Sequence, residues 1–147
     1  MKLQLELAEE ADLPLFLRME QEVGTSEYII PYGPEDHRSR YADPQVIYLR
    51  IVADGELAGF FILVMDPDQR SIEFRRIVVA NKGLGIGQRA VDAMEAYCRD
   101  RLKRARIWLD VFEHNRRGRH IYEKLGYRKF GESVLAGRTL LLYEKQL

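Results

Sequence analysis

The chain has a single cysteine, Cys98, in 147 residues. That excludes an intramolecular disulfide framework and a thiolate-rich metal site, and it suits a reducing compartment, so a cytoplasmic location is expected. His37, His114 and His120 are its three histidines, and they are scattered without metal-ligand spacing, so no metal is expected. No apolar run approaches the ~20 residues of a membrane-spanning helix, and Met1–Glu6 does not read as a signal peptide. No membrane partner is therefore expected. The net charge of +0 supplies no positive excess for bulk nucleic-acid binding, so no nucleic acid is expected either. Repeats, low-complexity tracts and linker-like stretches are missing too, and the length predicts one domain over residues 1–147.

What charge there is lies unevenly. Residues 1–81 carry 8 basic and 15 acidic side chains, whereas residues 82–129 carry 13 basic and 6 acidic. The basic half suits a polyanionic cofactor, and the acidic half suits a cationic substrate such as an amine.

Hydrophobic spacing sets the order of elements. Leu3 to Leu7 alternates as a strand. Asp12 reads as the N-cap of a helix with Pro14 in its first turn, running to about Val23, with Gly24-Thr25-Ser26 ending it. Tyr28 to Pro34 is too proline-rich for a regular element, and Pro34 opens a short helix through about Tyr41. The aromatic residues here, Tyr28 and Tyr32, serve equally as substrate-pocket lining or as a packed lid. Val46–Val52, Leu57–Met65 and Ser71–Val79 are strands joined by the turns Asp54-Gly55 and Asp66-Pro67-Asp68, which are too short for parallel crossovers. A helix over about 85–103 leads to a strand over Ala105–Val111, parallel to the preceding one. Cys98 falls on that helix's apolar face as a small core residue. Asn115 caps a helix through about Leu125, closed by Gly126. Tyr127–Phe130 begins a sixth strand, and Ala136-Gly137 turns it into the last, Thr139–Tyr143.

The junction Arg75–Arg89 carries the first chemical signal. A Val/Ile strand runs into Lys82-Gly83-Leu84-Gly85-Ile86-Gly87-Gln88 and then into a helix. Glycines here suit a tight turn, and they also bare the first helix amides to a phosphate. A P-loop would need Gly-Lys followed by Ser or Thr, which occurs nowhere in the chain. A dinucleotide fingerprint would need a third glycine where Gln88 stands. Asp110 mimics that fold's ribose-binding acid, but the antiparallel meander before the glycines contradicts a mainly parallel sheet. In the third reading, the glycine run resembles the Q/R-x-x-G-x-G/A motif of the GCN5-related N-acetyltransferase (GNAT) family, with Lys82 in the place usually held by Gln or Arg.

The second signal is Asn115 to Tyr127. It resembles the GNAT pattern N-x-x-A-x-x-x-Y-x-x-x-G-F, with Gly118 for the usual Ala and Tyr127 for the usual Phe. Both motifs stand in the family's order, and the resemblance covers about residues 2–147. It implies an α+β (α/β/α layered) GNAT fold. The sheet would be mixed and six- to seven-stranded, with an antiparallel second-to-fourth meander, parallel fourth and fifth strands, and about four helices. The implied activity is acetyl transfer from acetyl-CoA to an amine, directly and without a covalent enzyme intermediate.

The resemblance also implies roles. Tyr122 would be the general acid at the CoA sulfur, and Asn115 would bind pantetheine beyond capping its helix. The backbone of Ile77, Val78 and Val79 would pair with the cofactor as with an added strand. The amides of Gly83, Leu84, Gly85, Ile86, Gly87 and Gln88 would hold the pyrophosphate, with charge added by Lys82 and with Arg119 toward the 3′-phosphate. Glu73 would be the base, ahead of Glu22 and Glu27. Strand alternation puts it on one face with Arg75 and Ile77, with Ile72, Phe74 and Arg76 on the other. The expected acceptor is a small-molecule primary amine. A protein N-terminus and a non-catalytic acyl-CoA sensor are the alternatives, and a homodimer through the C-terminal strands is compatible with the sequence.

Overall fold

The computed structural model describes residues 1–22, 32–80 and 85–147. Its strands are β1 (Leu3–Leu7), β2 (Val46–Ala53), β3 (Glu56–Met65), β4 (Ser71–Val79), β5 (Arg106–Phe112), β6 (Arg128–Leu135) and β7 (Arg138–Gln146). Its helices are α1 (Leu13–Glu20), α2 (Pro34–Ala42), α3 (Ile86–Asp100) and α4 (Arg116–Lys124). The strands form one sheet in the order β1-β2-β3-β4-β5-β7-β6. All its pairings are antiparallel except β4–β5, the crossover that α3 makes. This is the expected mixed sheet. Both tight hairpins hold residues at positive φ, Asp54 and Gly55 in one and Ala136 and Gly137 in the other, matching the twist of their strands.

Each face of the sheet buries a helical layer. On one, Ile51, Phe61, Leu63, Ile107, Leu109 and Leu141 pack against the stripe Ile86, Ala90, Val91, Met94 and Cys98 of α3. That stripe has the i, i+4 spacing of an amphipathic helix. Burial there pushes the Cys98 thiol up to about 12, so it stays a neutral core group. On the other face, Tyr48, Phe60, Ile62 and Val78 pack against Leu13 and Phe16. Phe60 stacks on Phe16 at 4.2 Å between ring centres.

Two local expectations are corrected. Asp12 stands at the N-cap position of α1, with Pro14 in the first turn as expected, but its side chain does not cap that helix: residues Glu10–Asp12 form a 3-10 turn, and the Asp12 carboxylate accepts from the Glu9 amide upstream at 2.8 Å. Helix α3 ends at Asp100 rather than near 103, because Lys103 adopts a φ of 55°. The loop expected over Gly24–Ser26 lies outside the described residues, as do Tyr28 and Glu27.

A β-bulge in β4 matters most for function. Ile62 pairs with Arg76 and Leu63 with Phe74, leaving Arg75 as the extra residue. The bulge resets the alternation. Ile72, Phe74, Ile77 and Val79 face the α3 layer, while Arg76 and Val78 face α1 and α2. The expected placement of Arg76 with Phe74, and of Ile77 with Glu73, is therefore reversed. A period-2 reading assumes an unbroken strand, and a bulge shifts everything after it by one residue.

Candidate active site

The bulge also opens the sheet. Parallel pairing of β4 with β5 covers Ser71↔Arg106, Ile72↔Ile107 and Glu73↔Trp108, and then stops. Beyond that point β4 continues to Val79 on β3, while β5 continues to Phe112 on β7. A wedge-shaped slot separates the two strands. Along it, the backbone of β4 from the bulge to Val79 has no strand partner on the β5 side among the described residues.

Past the top of the slot, α3 begins. Gly85 precedes it with a φ of 73°, and a side chain at either Gly85 or Gly87 would meet open space. The first amides of α3 have no partner inside the helix, and they carry the positive end of its dipole. Ile86, Gly87 and Gln88 lie in that first turn. Lys82, Gly83 and Leu84 lie outside the described residues. An unpaired strand edge next to open helix amides fits a long ligand that carries amides at one end and phosphates at the other.

Tyr122 stands on α4, on the α3 side of the sheet. Its ring meets the edges of Phe74 at 5.8 Å and Tyr127 at 5.9 Å. Burial, helped by the negative charge of Asp110, pushes its phenol up to about 12. It therefore keeps its proton at neutral pH. Asn115 caps α4 by accepting from the Gly118 amide at 2.9 Å. Tyr127, at the motif's aromatic position, is buried and donates to Glu95 at 2.8 Å, while Lys145 holds the other Glu95 oxygen at 2.8 Å. Arg119 is half-buried and donates to the Glu113 carbonyl at 3.0 Å, so part of its donor capacity is taken within the fold.

Across the slot, on the α1–α2 side, lie two carboxylates. Glu73 is held at both oxygens by Arg75, at 2.8 and 3.1 Å. Asp110 is two residues beyond Trp108, the last paired residue of β5, and so shares a face with it. Trp108 is fixed by donating to Asp66 at 2.7 Å. Asp110 is solvent-exposed at the lip of the slot and forms no ion pair with a described residue. Crowding by the surrounding protein nonetheless raises its pKa, and the Glu73 carboxylate adds to the rise. The Asp110 charge is felt by Tyr122, and Glu73, Arg75 and Arg76 act on Asp110 in turn.

Behind this side is a buried polar cluster. Glu20, fully buried on α1, binds both His37 Nε2 and Arg76 Nη1. His37 Nδ1 lies 2.7 Å from the Tyr48 hydroxyl. Two guanidiniums lie over the ring of Tyr32, Arg76 at 3.9 Å and Arg40 at 4.0 Å. Sequence reasoning left Tyr32 equally open as substrate-pocket lining or packed lid, and it did not single out Asp110 as a candidate base, nor Glu20, His37, Arg40 and Arg76. One signal was present: Glu20 shares the Leu13–Phe16 face of α1 at helical spacing.

The sequence profile of the family described as "Acetyltransferase (GNAT) family" matches residues 14–127. The chain belongs to this family. It is a GNAT acyltransferase that uses acetyl-CoA. A curated relative, an uncharacterized N-acetyltransferase in the pepI 3′ region of Lactobacillus delbrueckii subsp. lactis, is 26% identical over 146 residues, covering 85% of this chain and 84% of that protein. The 5-NmdU N-acetyltransferase of Pseudomonas phage PaMx11 is 32% identical over 95 residues, covering 63% of this chain and 64% of that protein. Among solved structures, spermidine N-acetyltransferase from Vibrio cholerae in complex with CoA and spermine shares the fold. Its TM-score is 0.83 at 21% identity, covering 98% of this chain and 95% of that one.

Proposed function

We propose that this GNAT protein acetylates the primary amine of a small molecule, by direct transfer from acetyl-CoA. One observation carries the reading: the gap where β4 leaves β5 is bordered by a protonated phenol, Tyr122 on the α3 side against Phe74, and by a carboxylate, Asp110, two residues past the last β5 pair on the other face. The thioester supplies an acetyl group activated toward an amine.

The residues divide the work. The β4 edge at Ile77, Val78 and Val79 pairs with the amides of the pantetheine arm, and Asn115 adds a side-chain contact. Gly85, Ile86, Gly87 and Gln88 present amides to the pyrophosphate. Asp110 takes the proton that the ammonium must lose before nitrogen can attack. It fills the role expected of Glu73, whose oxygens are both committed to Arg75. Tyr122 gives its proton to the departing sulfur, and its raised pKa keeps that proton available until negative charge develops there.

Two relatives support a small acceptor. The Vibrio cholerae protein is named for spermidine and was solved with spermine, and the phage protein is named for 5-NmdU. The test is thiol release from acetyl-CoA across a panel of small amines, with the acetylated amine identified by mass spectrometry. Release with at least one member is expected. Binding of acetyl-CoA with no release from any amine would instead favour the non-catalytic sensor.

A further inference from the structure

The acceptor side of the slot holds three arginines, and they are not equivalent. Arg75 is neutralised by Glu73 and Arg76 by Glu20. Arg40 forms no ion pair with a described residue, and its buried Nε bonds none of them. Its guanidinium carbon lies over the Tyr32 ring, 4.0 Å from the ring centre, and that of Arg76 lies 3.9 Å from the same centre. Tyr32 in turn is within electrostatic reach of Arg75 at the bulge. On the acidic side the imbalance is mirrored: Glu73 is committed, and Asp110 has no cation paired to it among the described residues. The acceptor face therefore offers one spare negative group at the gap and one spare positive group over the Tyr32 ring.

From this pairing we infer that the acceptor is an amine with an anionic group, a carboxylate or phosphate, several bonds from its nitrogen. The ammonium lies at Asp110 and the anion at Arg40. This rests on the acetyl-transfer reading above and names the class of acceptor for that site. A polyamine fits poorly. Its second ammonium would approach the Arg40 guanidinium, and Glu20 is fully buried and already bound by His37 and Arg76. A planar guanidinium with spare donors is suited to bidentate capture of carboxylate or phosphate. The chemistry balances: Asp110 takes one proton from the ammonium, a C–N bond forms as the C–S bond breaks, the Tyr122 proton goes to the thiolate, and the second nitrogen proton, released as the amide forms, restores the Tyr122 phenol.

The test uses the full chain, acetyl-CoA and four acceptors on one five-carbon spacer: 1-aminopentane, 1,5-diaminopentane, 6-aminohexanoate and 5-aminopentyl phosphate. Initial rates of thiol release give kcat/KM. The expected result is at least a tenfold preference for the carboxylate or the phosphate over 1-aminopentane, with the diamine poorest. Comparing the two anionic arms decides between carboxylate and phosphate. Arg40→Gln should collapse the ratio of anionic to neutral acceptor toward one, and Arg40→Lys should restore part of it. A diamine that matches or exceeds the anionic acceptors, or an unchanged ratio in Arg40→Gln, would overturn the inference while leaving acetyl transfer intact. Silence from all four, together with silence across the wider amine panel, would remove both readings.

Discussion

Glu73 and Trp108 are the last residues to pair across the parallel β4–β5 junction. Everything attributed to the site lies just past that pair. The extra residue Arg75 bends β4 away, β7 keeps β5 in place, and the sheet opens where the chemistry needs access from both faces. The bulge thus leaves the β4 edge unpaired on the β5 side among the described residues and turns Arg76 toward Glu20.

Gly87→Asp separates binding from folding. A carboxylate in the first turn of α3 meets open space and a favourable helix dipole, so thermal stability should hold or rise slightly. The same charge repels a pyrophosphate, and acetyl-CoA affinity should fall about tenfold or more, which corresponds to ~1.4 kcal/mol. Calorimetry and thermal denaturation on one sample check both. Wild-type affinity would move the phosphate site elsewhere.

Tyr122→Phe should lower kcat by about a hundredfold, within the ~10²–10⁴ range of general acid catalysis, with little change in acetyl-CoA affinity. The phenyl ring keeps the packing on Phe74 and Tyr127, so stability should be retained. An unchanged kcat would assign the proton to another donor.

Asp110 should set the acidic limb of the kcat profile. As a base it works ionised. Its raised pKa places the loss of activity above the ordinary carboxylate range as pH falls. Asp110→Asn should abolish that limb along with most of the rate. The stability sign is opposite: a carboxyl with a raised folded-state pKa stabilises the fold at low pH and loses that contribution as pH rises through it. Asp110→Asn should therefore be slightly more stable than wild type at neutral pH. A profile unchanged in Asp110→Asn but altered in Glu73→Gln would return the role to Glu73.

Glu20→Gln tests the buried cluster. It removes the Glu20 charge from the Arg76 guanidinium, and removing one partner of a buried pair costs about 3–5 kcal/mol. For a chain of this length that is a fall in Tm of roughly 10 °C. A shift within a degree or two would mean that Arg76 is compensated elsewhere.

Much of this was legible from local spacing. The meander, the parallel crossover, the Asn115 cap and the Ala136-Gly137 hairpin all follow from periodicity and turn chemistry within a few residues. The misses share one cause, which is dependence on distant partners. Nothing near Arg75 shows that β3 pairs with both Phe74 and Arg76 and skips it. Glu20 on an apolar helix face makes sense only once His37 and Arg76 arrive from other elements. Asp110 stands at the opening only because β4 leaves β5 two residues before it. Asp12 is the local exception: it stands at the N-cap position as read, but its carboxylate serves the preceding 3-10 turn.

The most direct measurement is amide hydrogen exchange with and without CoA. Bound CoA should slow exchange at the β4 amides of Ile77–Val79 and in the first turn of α3 at Gly87 and Gln88, and leave the β6–β7 hairpin unchanged. Protection confined to other strands, with β4 and the start of α3 exchanging as freely as before, would contradict the placement of the cofactor in the slot.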